Sequence, residues 1–345
     1  MAKIIKHNLA TAAPQKPARR LALLDVGTNA IRLAVYEIQT EDQPRLYFQA
    51  RAVTRLGAGA GPELRQDSIN RTLQAARSML DEVRSHGAVD IRAVATAAVR
   101  ESPQRRIFQK LFQKHTKCPL QVISGHAEAR LVYMGLAPTL PADSPVLIMD
   151  IGGGSTELIV GTRQRCLACC SLPIGAVRLT EEFPALRAHG PVPQAVLRTL
   201  LWTIHDRATA TLNRFRRYHP VLGVGTSGTT RSLAALTFSG SRYAPAAPHI
   251  AVLPRTAPPL LFWRLARLEM PLRAALPGME ADRADIIIAG AAITTIIMQS
   301  LRLRCLRITA GGLREGLLHQ FLADCSLRQQ SGHHMISMAS HGKLE

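Results

Sequence analysis

The stretch Pro145–Val160, which reads PVLIMDIGGGSTELIV, decides the fold. Its apolar first part, Pro145–Met149, predicts a buried strand that runs into a glycine turn. Three consecutive glycines let the backbone turn back and bring its N–H groups close to an anion. Carboxylates flank the turn at Asp150 and Glu157, and we interpret them as ligands of a hard cation that bridges to phosphate oxygens. A plain hairpin turn is the alternative interpretation.

The same pattern occurs earlier in the chain. The apolar run Leu21–Leu24 leads into Asp25-Val-Gly-Thr-Asn29, and residues 31–38 alternate as a second strand. A further glycine turn at 225–230 opens a helix. Because such turns recur in both halves, we predict a bilobed α/β fold of duplicated domains that face each other across a cleft. A single doubly wound sheet with one glycine turn fits this pattern less well.

The 345 residues are enough for two medium-sized domains, each with its own core. We expect lobe I to comprise residues 21–131 together with about 312–327, and lobe II to comprise 132–311. Residues 1–20 carry no acidic side chain, and we expect them to form a disordered basic arm. We also expect a disordered tail over 328–345.

The chain is strongly basic, with a formal net charge of +19. A polyanionic partner would explain this charge, because a positive surface raises the local concentration of anions. Compositional drift toward arginine would explain it equally well, and both interpretations stay open. Zinc-finger spacing, basic-aromatic RNA-binding strands and basic regions with heptads are absent from the sequence, which does not favour a nucleic-acid partner.

The six cysteines do not form the framework of a disulfide-rich domain. Cys166, Cys169 and Cys170 are clustered, but a second pair of zinc ligands is missing nearby. We therefore expect buried free thiols and a reducing, cytoplasmic location. No apolar run reaches the length of a membrane span, so we expect no membrane association. A homodimer stays open, since no isolated apolar stripe marks an interface.

Six short motifs follow one another along the chain. They are Asp25-Val-Gly-Thr-Asn29, Ala95-Thr-Ala-Ala-Val-Arg100, Ile123-Ser-Gly-His-Ala-Glu-Ala-Arg130, Asp150-Ile-Gly-Gly-Gly-Ser-Thr-Glu157, Gly225-Thr-Ser-Gly-Thr229 and Gly312-Leu-Arg-Glu-Gly316. Their combination resembles the exopolyphosphatase and guanosine pentaphosphate phosphohydrolase (Ppx/GppA) family over about residues 21–322. That family belongs to the actin, sugar kinase and heat-shock chaperone (ASKHA) superfamily. The resemblance therefore implies an actin-like, ribonuclease H-like fold.

The resemblance also implies an activity, which is hydrolysis of the terminal phosphoryl group of inorganic polyphosphate or guanosine pentaphosphate. Glu128 would be the catalytic carboxylate that orients or deprotonates the attacking water, and Arg100 would contact the phosphate. Asp150 and Glu157 would hold Mg²⁺ or Mn²⁺. A solvated glutamate at a helix start and an ordinary surface arginine are the alternative interpretations of Glu128 and Arg100.

The remaining expected site residues lie in the glycine turns and at two arginines, for which a surface role also stays open. Matching positions imply that these residues bind the substrate: Gly27, Thr28, Asn29, Arg32, Gly152, Gly153, Gly154, Ser155, Gly225, Thr226, Gly228, Thr229 and Arg283.

The chain departs from the family pattern at Ala30 and Ala97, where hydroxyl side chains are usual. These differences put the rate and the substrate preference in doubt and motivate an alternative function, a non-catalytic sensor of alarmones or polyphosphate. A sugar kinase is a third candidate, against which the Glu128 motif argues. The sequence also resembles short family members without the helical C-terminal domain, from which we expect weaker processivity on long polyphosphate.

Overall fold

The computed structural model describes residues 4–8, 19–39, 43–59, 61–85, 87, 90–239 and 251–340. In these residues the chain forms two six-stranded mixed sheets with helices packed on them. The first sheet is built from residues 4–122 and the second from residues 146–308. We call the first sheet with its helices lobe I and the second sheet with its helices lobe II. The predicted bilobed α/β architecture is confirmed.

The sheet of lobe I has the order β1-β4-β3-β2-β5-β6. Its strands are β1 (Ile4–Asn8), β2 (Arg19–Val26), β3 (Ala30–Ile38), β4 (Arg45–Val53), β5 (Asp90–Ala95) and β6 (Leu120–Val122). The sheet of lobe II has the order β11-β12-β10-β7-β8-β9. Its strands are β7 (Val146–Ile151), β8 (Thr156–Gly161), β9 (Cys166–Leu172), β10 (Leu222–Gly225), β11 (Val252–Pro254) and β12 (Cys305–Ile308).

The two sheets share one topology. Strands β2, β3 and β4 form an antiparallel meander, and β5 and β6 continue from β2 in parallel. Strands β7, β8 and β9 form the same meander, with β10 and β12 continuing in parallel from β7. Each lobe therefore has the 3-2-1-4-5 strand order of a ribonuclease H-like domain, and the predicted duplication is confirmed as an actin-like pair.

The helices cover the faces of both sheets. They are α1 (Gln66–Ser85), α2 (Ala97–Glu101), α3 (Arg105–Thr116), α4 (Gly125–Leu136), α5 (Ala176–Glu182), α6 (Gln194–Arg216), α7 (Gly228–Phe238), α8 (Ala257–Ala266), α9 (Met270–Ala274), α10 (Ile287–Ser300) and α11 (Leu313–Ser340). Helix α10 is the most buried of them, because apolar residues cover its whole circumference. In the described part of the chain, no helix combines the length and the apolar composition that spanning a membrane requires.

Helix α11 returns the end of the chain to lobe I. Leu317, Leu318 and Phe321 pack with Leu21 and Leu23 of β2 in one apolar cluster. Helix α11 also packs closely against α4, because Gly316 has no side chain at the contact: a Cβ atom there would lie within 1.9 Å of the carbonyl oxygen of Leu131. This contact fixes the position of α4, the helix that carries Glu128.

Three details of the structure differ from what the sequence led us to expect. Within the arm predicted to be disordered, residues 4–8 form β1, which pairs antiparallel with β4 and covers the edge of the sheet. Residues 1–3 and 9–18 of that arm lie outside the described residues. Within the tail predicted to be disordered, residues 328–340 continue α11, in which no proline interrupts the helix. Residues 341–345 lie outside the described residues. The cysteines are free thiols as expected, but Cys118 alone is buried and the others are partly exposed.

Candidate functional site

The candidate site lies in the cleft between the lobes, where the central hairpin of each sheet ends. Asp25 pairs with Arg32 across the β2–β3 hairpin, and Asp150 pairs with Glu157 across the β7–β8 hairpin. Paired residues of an antiparallel ladder share a face of the sheet. All four side chains line one cleft of about 890 Å³.

The two hairpin turns touch each other at the floor of this cleft. A Cβ atom on Gly154 would lie 2.6 Å from Thr28 Oγ1, and one on Gly153 would lie 3.1 Å from the Asn29 nitrogen. Glycine is therefore required here for close approach of the two lobes. The turns themselves are alike, with Gly27 N–H donating to Ala30 O (3.1 Å) and Gly152 N–H donating to Ser155 O (2.9 Å). The lobes thus present two similar loops to one ligand.

Four carboxylates line the cleft. They belong to Asp25, Glu128, Asp150 and Glu157. The first two and Glu157 are 7% exposed or less, and Asp150 is somewhat more accessible. Glu157 Oε1 accepts hydrogen bonds from Ser155 Oγ (2.8 Å) and Ser171 Oγ (2.6 Å). Asp150 Oδ2 accepts one from Thr226 Oγ1 (3.2 Å). We call these four residues the acidic wall.

Burial raises the pKa of each carboxyl group in the acidic wall. The pKa of Glu157 is raised most by burial, and the negative charges of Glu128 and Asp150 raise it further. Burial raises the pKa of Glu128 to about 7, although Arg100 opposes this shift. Burial likewise raises the pKa of Asp25 and of Asp150, and Arg32 opposes both shifts. A cation close to these carboxylates would relieve part of their mutual repulsion.

Glu128 is held from behind by an ion pair. Ser124 caps α4 by accepting a hydrogen bond from Ala127 N–H, which places Glu128 in the first turn of the helix. Arg100, at the end of α2, donates from Nη1 to Glu128 Oε2 at 2.7 Å and also contacts the Ile123 carbonyl oxygen. The carboxylate is thereby fixed toward the cleft, while the guanidinium lies on its far side.

Arginines line the same cleft, and Arg32 Nη1 lies 3.5 Å from the Asp25 carboxylate. They are Arg32 from β3, Arg231 from α7, Arg283 from the turn before α10 and Arg314 from α11. Burial lowers the pKa of Arg32 to about 10, with Asp25 opposing and the other three arginines adding to the shift. Burial also lowers the pKa of Arg231, with contributions from Arg283 and Arg314. These converging cations, which we call the arginine wall, favour a polyanionic ligand.

The third glycine turn contacts residues of both the acidic wall and the arginine wall. Ser227 caps α7 by accepting from Thr230 N–H (3.1 Å), so the start of the helix faces the cleft. Thr226 reaches the acidic wall at Asp150, and Thr229 donates to Ile151 O (3.2 Å). A Cβ atom on Gly228 would lie 2.0 Å from Arg283 Nη2, so this glycine makes room for the guanidinium.

Asn29 has unused hydrogen-bonding capacity at the floor of the cleft. Its side chain is buried, and neither Oδ1 nor Nδ2 has a partner among the described residues. A buried polar group without a partner costs about 1–3 kcal/mol. A ligand in the cleft would remove this cost by hydrogen bonding to the amide.

The acidic wall fits a divalent metal ion in part. In the described residues, no three His, Cys, Asp or Glu side chains converge as a ready-made metal cage. Mg²⁺ does not need such a cage, because it is commonly bound by one or two carboxylates, waters and substrate phosphates. The hard oxygens of Asp150 and Glu157 suit Mg²⁺ or Mn²⁺, and a cation there would relieve the repulsion that raises the pKa of Glu157.

The structure brings most of the predicted site residues together. The following predicted residues line the cleft: Gly27, Thr28, Asn29, Arg32, Glu128, Asp150, Gly152, Gly153, Gly154, Ser155, Glu157, Thr226, Gly228, Thr229 and Arg283. Gly225 ends β10 directly before the third turn, and Arg100 lies behind Glu128. Sequence reasoning missed Asp25, Arg231 and Arg314 as site residues, although Asp25 and Arg314 stand inside two of the six motifs.

Comparison with known proteins gives consistent similarities. The family model described as Ppx/GppA phosphatase family matches residues 34–324. Exopolyphosphatase 1 of Mycobacterium tuberculosis is 30% identical over 303 residues, which is 87% of each chain. The crystal structure of an exopolyphosphatase from Cytophaga hutchinsonii superimposes with a TM-score of 0.81 at 24% identity, covering 89% of this chain and 98% of that one. The Aquifex aeolicus Ppx/GppA family member gives a TM-score of 0.72 at 27% identity, covering 89% and 99%.

Proposed function

The chain belongs to the Ppx/GppA phosphatase family, and from that premise we propose that it hydrolyses the terminal phosphoanhydride bond of inorganic polyphosphate. The observation that carries this proposal is that one cleft is lined by the four carboxylates of the acidic wall and the four guanidinium groups of the arginine wall. A polyphosphate end needs cations around its oxygens and a carboxylate beside the phosphorus that water attacks.

Polyphosphate is the leading substrate because the relative from Mycobacterium tuberculosis carries the name exopolyphosphatase. Guanosine pentaphosphate presents the same terminal phosphoryl group on an anionic chain, and it is the second substrate to test. Both would place their phosphate oxygens against Arg32, Arg231 and Arg283. The buried amide of Asn29 would supply a further hydrogen bond to one of these oxygens.

Glu128 is the proposed general base. Its side chain faces the cleft, and its pKa of about 7 is suited to accepting a proton near neutral pH. The oxygen of water forms a bond to the terminal phosphorus while the bond to the bridging oxygen breaks. The proton of the water passes to Glu128, and the bridging oxygen becomes the new end of the shortened chain. Arg100 positions the carboxylate through its 2.7 Å hydrogen bond.

Asp150 and Glu157 are the proposed holders of Mg²⁺ or Mn²⁺. When bound, the ion would neutralise part of the negative charge that develops on the phosphoryl oxygens. Thr226 holds Asp150 from one side, and Ser155 and Ser171 hold Glu157. These hydrogen bonds keep both carboxylates in place before a ligand arrives.

Ala30 and Ala97 bear on the choice between an enzyme and a sensor. Ala30 supplies its carbonyl oxygen to the first turn, and Ala97 Cβ lies 2.8 Å from where a Cβ atom on Gly154 would be. Neither position needs a hydroxyl group to shape the loops. Both Glu128 and its arginine partner are present as well, which supports the enzyme over the sensor.

The test compares phosphate release from short polyphosphate, long polyphosphate and guanosine pentaphosphate, with and without Mg²⁺. The proposal predicts Mg²⁺-dependent release from polyphosphate that stops in the presence of a chelator. Tight binding of these ligands without release would instead support the sensor. Transfer of phosphate from ATP to a sugar would support the kinase.

A further inference from the structure

A second recess lies directly outside the catalytic cleft, on the far side of Glu128. This recess, of about 770 Å³ and open to solvent, is lined among others by Arg100, Gly125, His126, Ser171 and Arg214. We call it the outer recess. It shares no lining residue with the cleft, yet two of its residues are hydrogen-bonded to residues of the acidic wall.

Two hydrogen-bonded pairs cross the partition between the cleft and the outer recess. Arg100 Nη1 donates to Glu128 Oε2 at 2.7 Å. Ser171 Oγ donates to Glu157 Oε1 at 2.6 Å. In both pairs the carboxylate lines the cleft and the donor lines the recess. At these points one pair of side chains therefore links the cleft to the outer recess, and passage of an anion would require the donors to turn aside.

The outer recess carries charge that suits a small anion. Arg100 and Arg214 contribute guanidinium groups, and His126 adds an imidazole. Glu101 is the acidic residue of the recess, and its carboxylate is engaged by Arg178 from lobe II. Arg100 Nη2 lies 4.0 Å from Glu101 Oε1, so this end of the guanidinium points away from Glu128. An anion that left the cleft here would pass from one arginine to the next.

Hydrolysis at Glu128 creates a need for such a path. In the proposed function, on which this inference rests, the terminal phosphoryl group lies against Glu128 while the rest of the polymer extends past the arginine wall. Orthophosphate is then produced between the polymer and the partition. It could leave through the mouth of the cleft only after the polymer had left first.

We propose that the outer recess binds orthophosphate and is the outlet through which the product leaves while the shortened polymer stays in the cleft. Arg100 would exchange its hydrogen bond to Glu128 for one to the departing phosphate, and Arg214 would receive the anion at the rim. Successive phosphates could then be removed in one binding event.

Binding of phosphate to a blocked enzyme tests the outlet without relying on turnover. The cleft is filled with a saturating, non-hydrolysable imido-linked polyphosphate, and binding of radiolabelled orthophosphate is measured at equilibrium. We expect the wild-type chain still to bind orthophosphate, and the variant Arg214→Glu to bind it at least five-fold more weakly. Loss of all orthophosphate binding when the analogue is added, or equal binding by the variant, would overturn the proposal.

The chain offers a matched control on the same helix. Arg198 and Arg214 are both exposed residues of α6, and they are separated by about 24 Å along the helix axis. This distance exceeds the screening length of ~10 Å at 0.1 M salt. Arg198→Glu carries the same change in charge, and we expect it to bind orthophosphate as the wild type does. His126→Glu provides a second change at the rim and should weaken binding like Arg214→Glu.

Product inhibition gives an independent readout in the working enzyme. If orthophosphate enters the outer recess while polymer occupies the cleft, it lowers kcat, and saturating polyphosphate does not relieve the inhibition. Purely competitive inhibition would contradict the outlet. Arg214→Glu should raise the inhibition constant several-fold. A wild-type chain that releases no phosphate from polyphosphate would refute the proposed function, whereas the binding measurement would still report on the recess.

Discussion

Arg100 Nη1 lies 2.7 Å from Glu128 Oε2, with the glutamate lining the cleft and the arginine lining the outer recess. The motif around residue 100 and the motif around residue 128 are thus joined in one unit. The arginine holds the carboxylate in place and stabilises its charged form, while burial favours the neutral form. Both effects act on the group that we propose as the general base.

Replacing Arg100 should shift the pH dependence of the reaction. In Arg100→Gln the cation that lowers the pKa of Glu128 is lost and burial remains, so the pKa rises above its value of about 7. A general base must be deprotonated, so we expect the acidic limb of kcat/KM to move to higher pH. A pH–rate profile of phosphate release measures this shift. Arg100→Lys keeps the positive charge and should shift the acidic limb less. If the acidic limb of Arg100→Gln stayed where it is in the wild type, Arg100 would not lower the pKa of the general base.

The stability of the metal-free chain should fall as the pH rises from 4.5 to about 7. Glu128 has an ordinary pKa of 4.5 when unfolded and about 7 when folded, so in this window the folded chain holds a proton that the unfolded chain has lost. Thermal midpoints between pH 5 and 8 measure the effect. Glu128→Gln should flatten the fall, and Mg²⁺ should restore stability at the higher pH. An equally steep fall in the variant would contradict this account.

An ion pair between the lobes should stabilise the closed cleft. Arg55 of lobe I contacts Asp285 of lobe II through both carboxylate oxygens, and Asp285 is 4% exposed. Arg55→Ala leaves a buried carboxylate without its partner, and we expect a loss of about 2–3 kcal/mol in unfolding free energy. Urea denaturation of the wild type and the variant measures this loss of unfolding free energy. Asp285→Asn leaves no buried charge and should cost less, and the reverse order would show that the pair is not the cause.

The contact between α4 and α11 should tolerate no side chain at Gly316. Gly316→Ala would force a Cβ atom to within 1.9 Å of Leu131 O, and we expect a loss of ~1–3 kcal/mol. Gly190 has nothing within 4 Å of the corresponding position, so Gly190→Ala is a control that should change stability little. The denaturation midpoints of the two variants, each compared with that of the wild type, test this prediction. Equal midpoints would mean that the helices can separate without cost.

The sequence predicted the hairpins because each combines an apolar run with a glycine turn, which are local signals. It could not give the order of the strands, since pairing β2 with β5 and β7 with β10 depends on contacts between distant segments. It also missed β1, whose five residues gain their structure from the edge of β4. Helix α6 (Gln194–Arg216), by contrast, has a local signal, because its buried apolar residues recur at helical spacing, as at Leu197, Leu200 and Ile204.

In the candidate site, too, the residues in local motifs could be predicted from the sequence, and those that depend on long-range contacts could not. Asp150, Glu157 and Glu128 stand in recognisable motifs, and all three line the cleft. Arg231 stands after the third glycine turn in an arginine-rich chain, where nothing local separates it from a surface arginine. Only the fold brings it beside Arg283 and Arg314. The sequence did not predict the outer recess either, because its residues come from α2, α4, β9 and α6, which are far apart along the chain.

The most direct test of the account is the rate of Mg²⁺-dependent phosphate release from polyphosphate by the wild-type chain and by Glu128→Gln. This substitution keeps the shape of the side chain and removes its ability to accept the proton of the attacking water. We expect the variant to fold and to bind polyphosphate, and its kcat to fall by roughly 10²–10⁴-fold. A variant that releases phosphate at the wild-type rate would contradict the central claim that Glu128 activates the water.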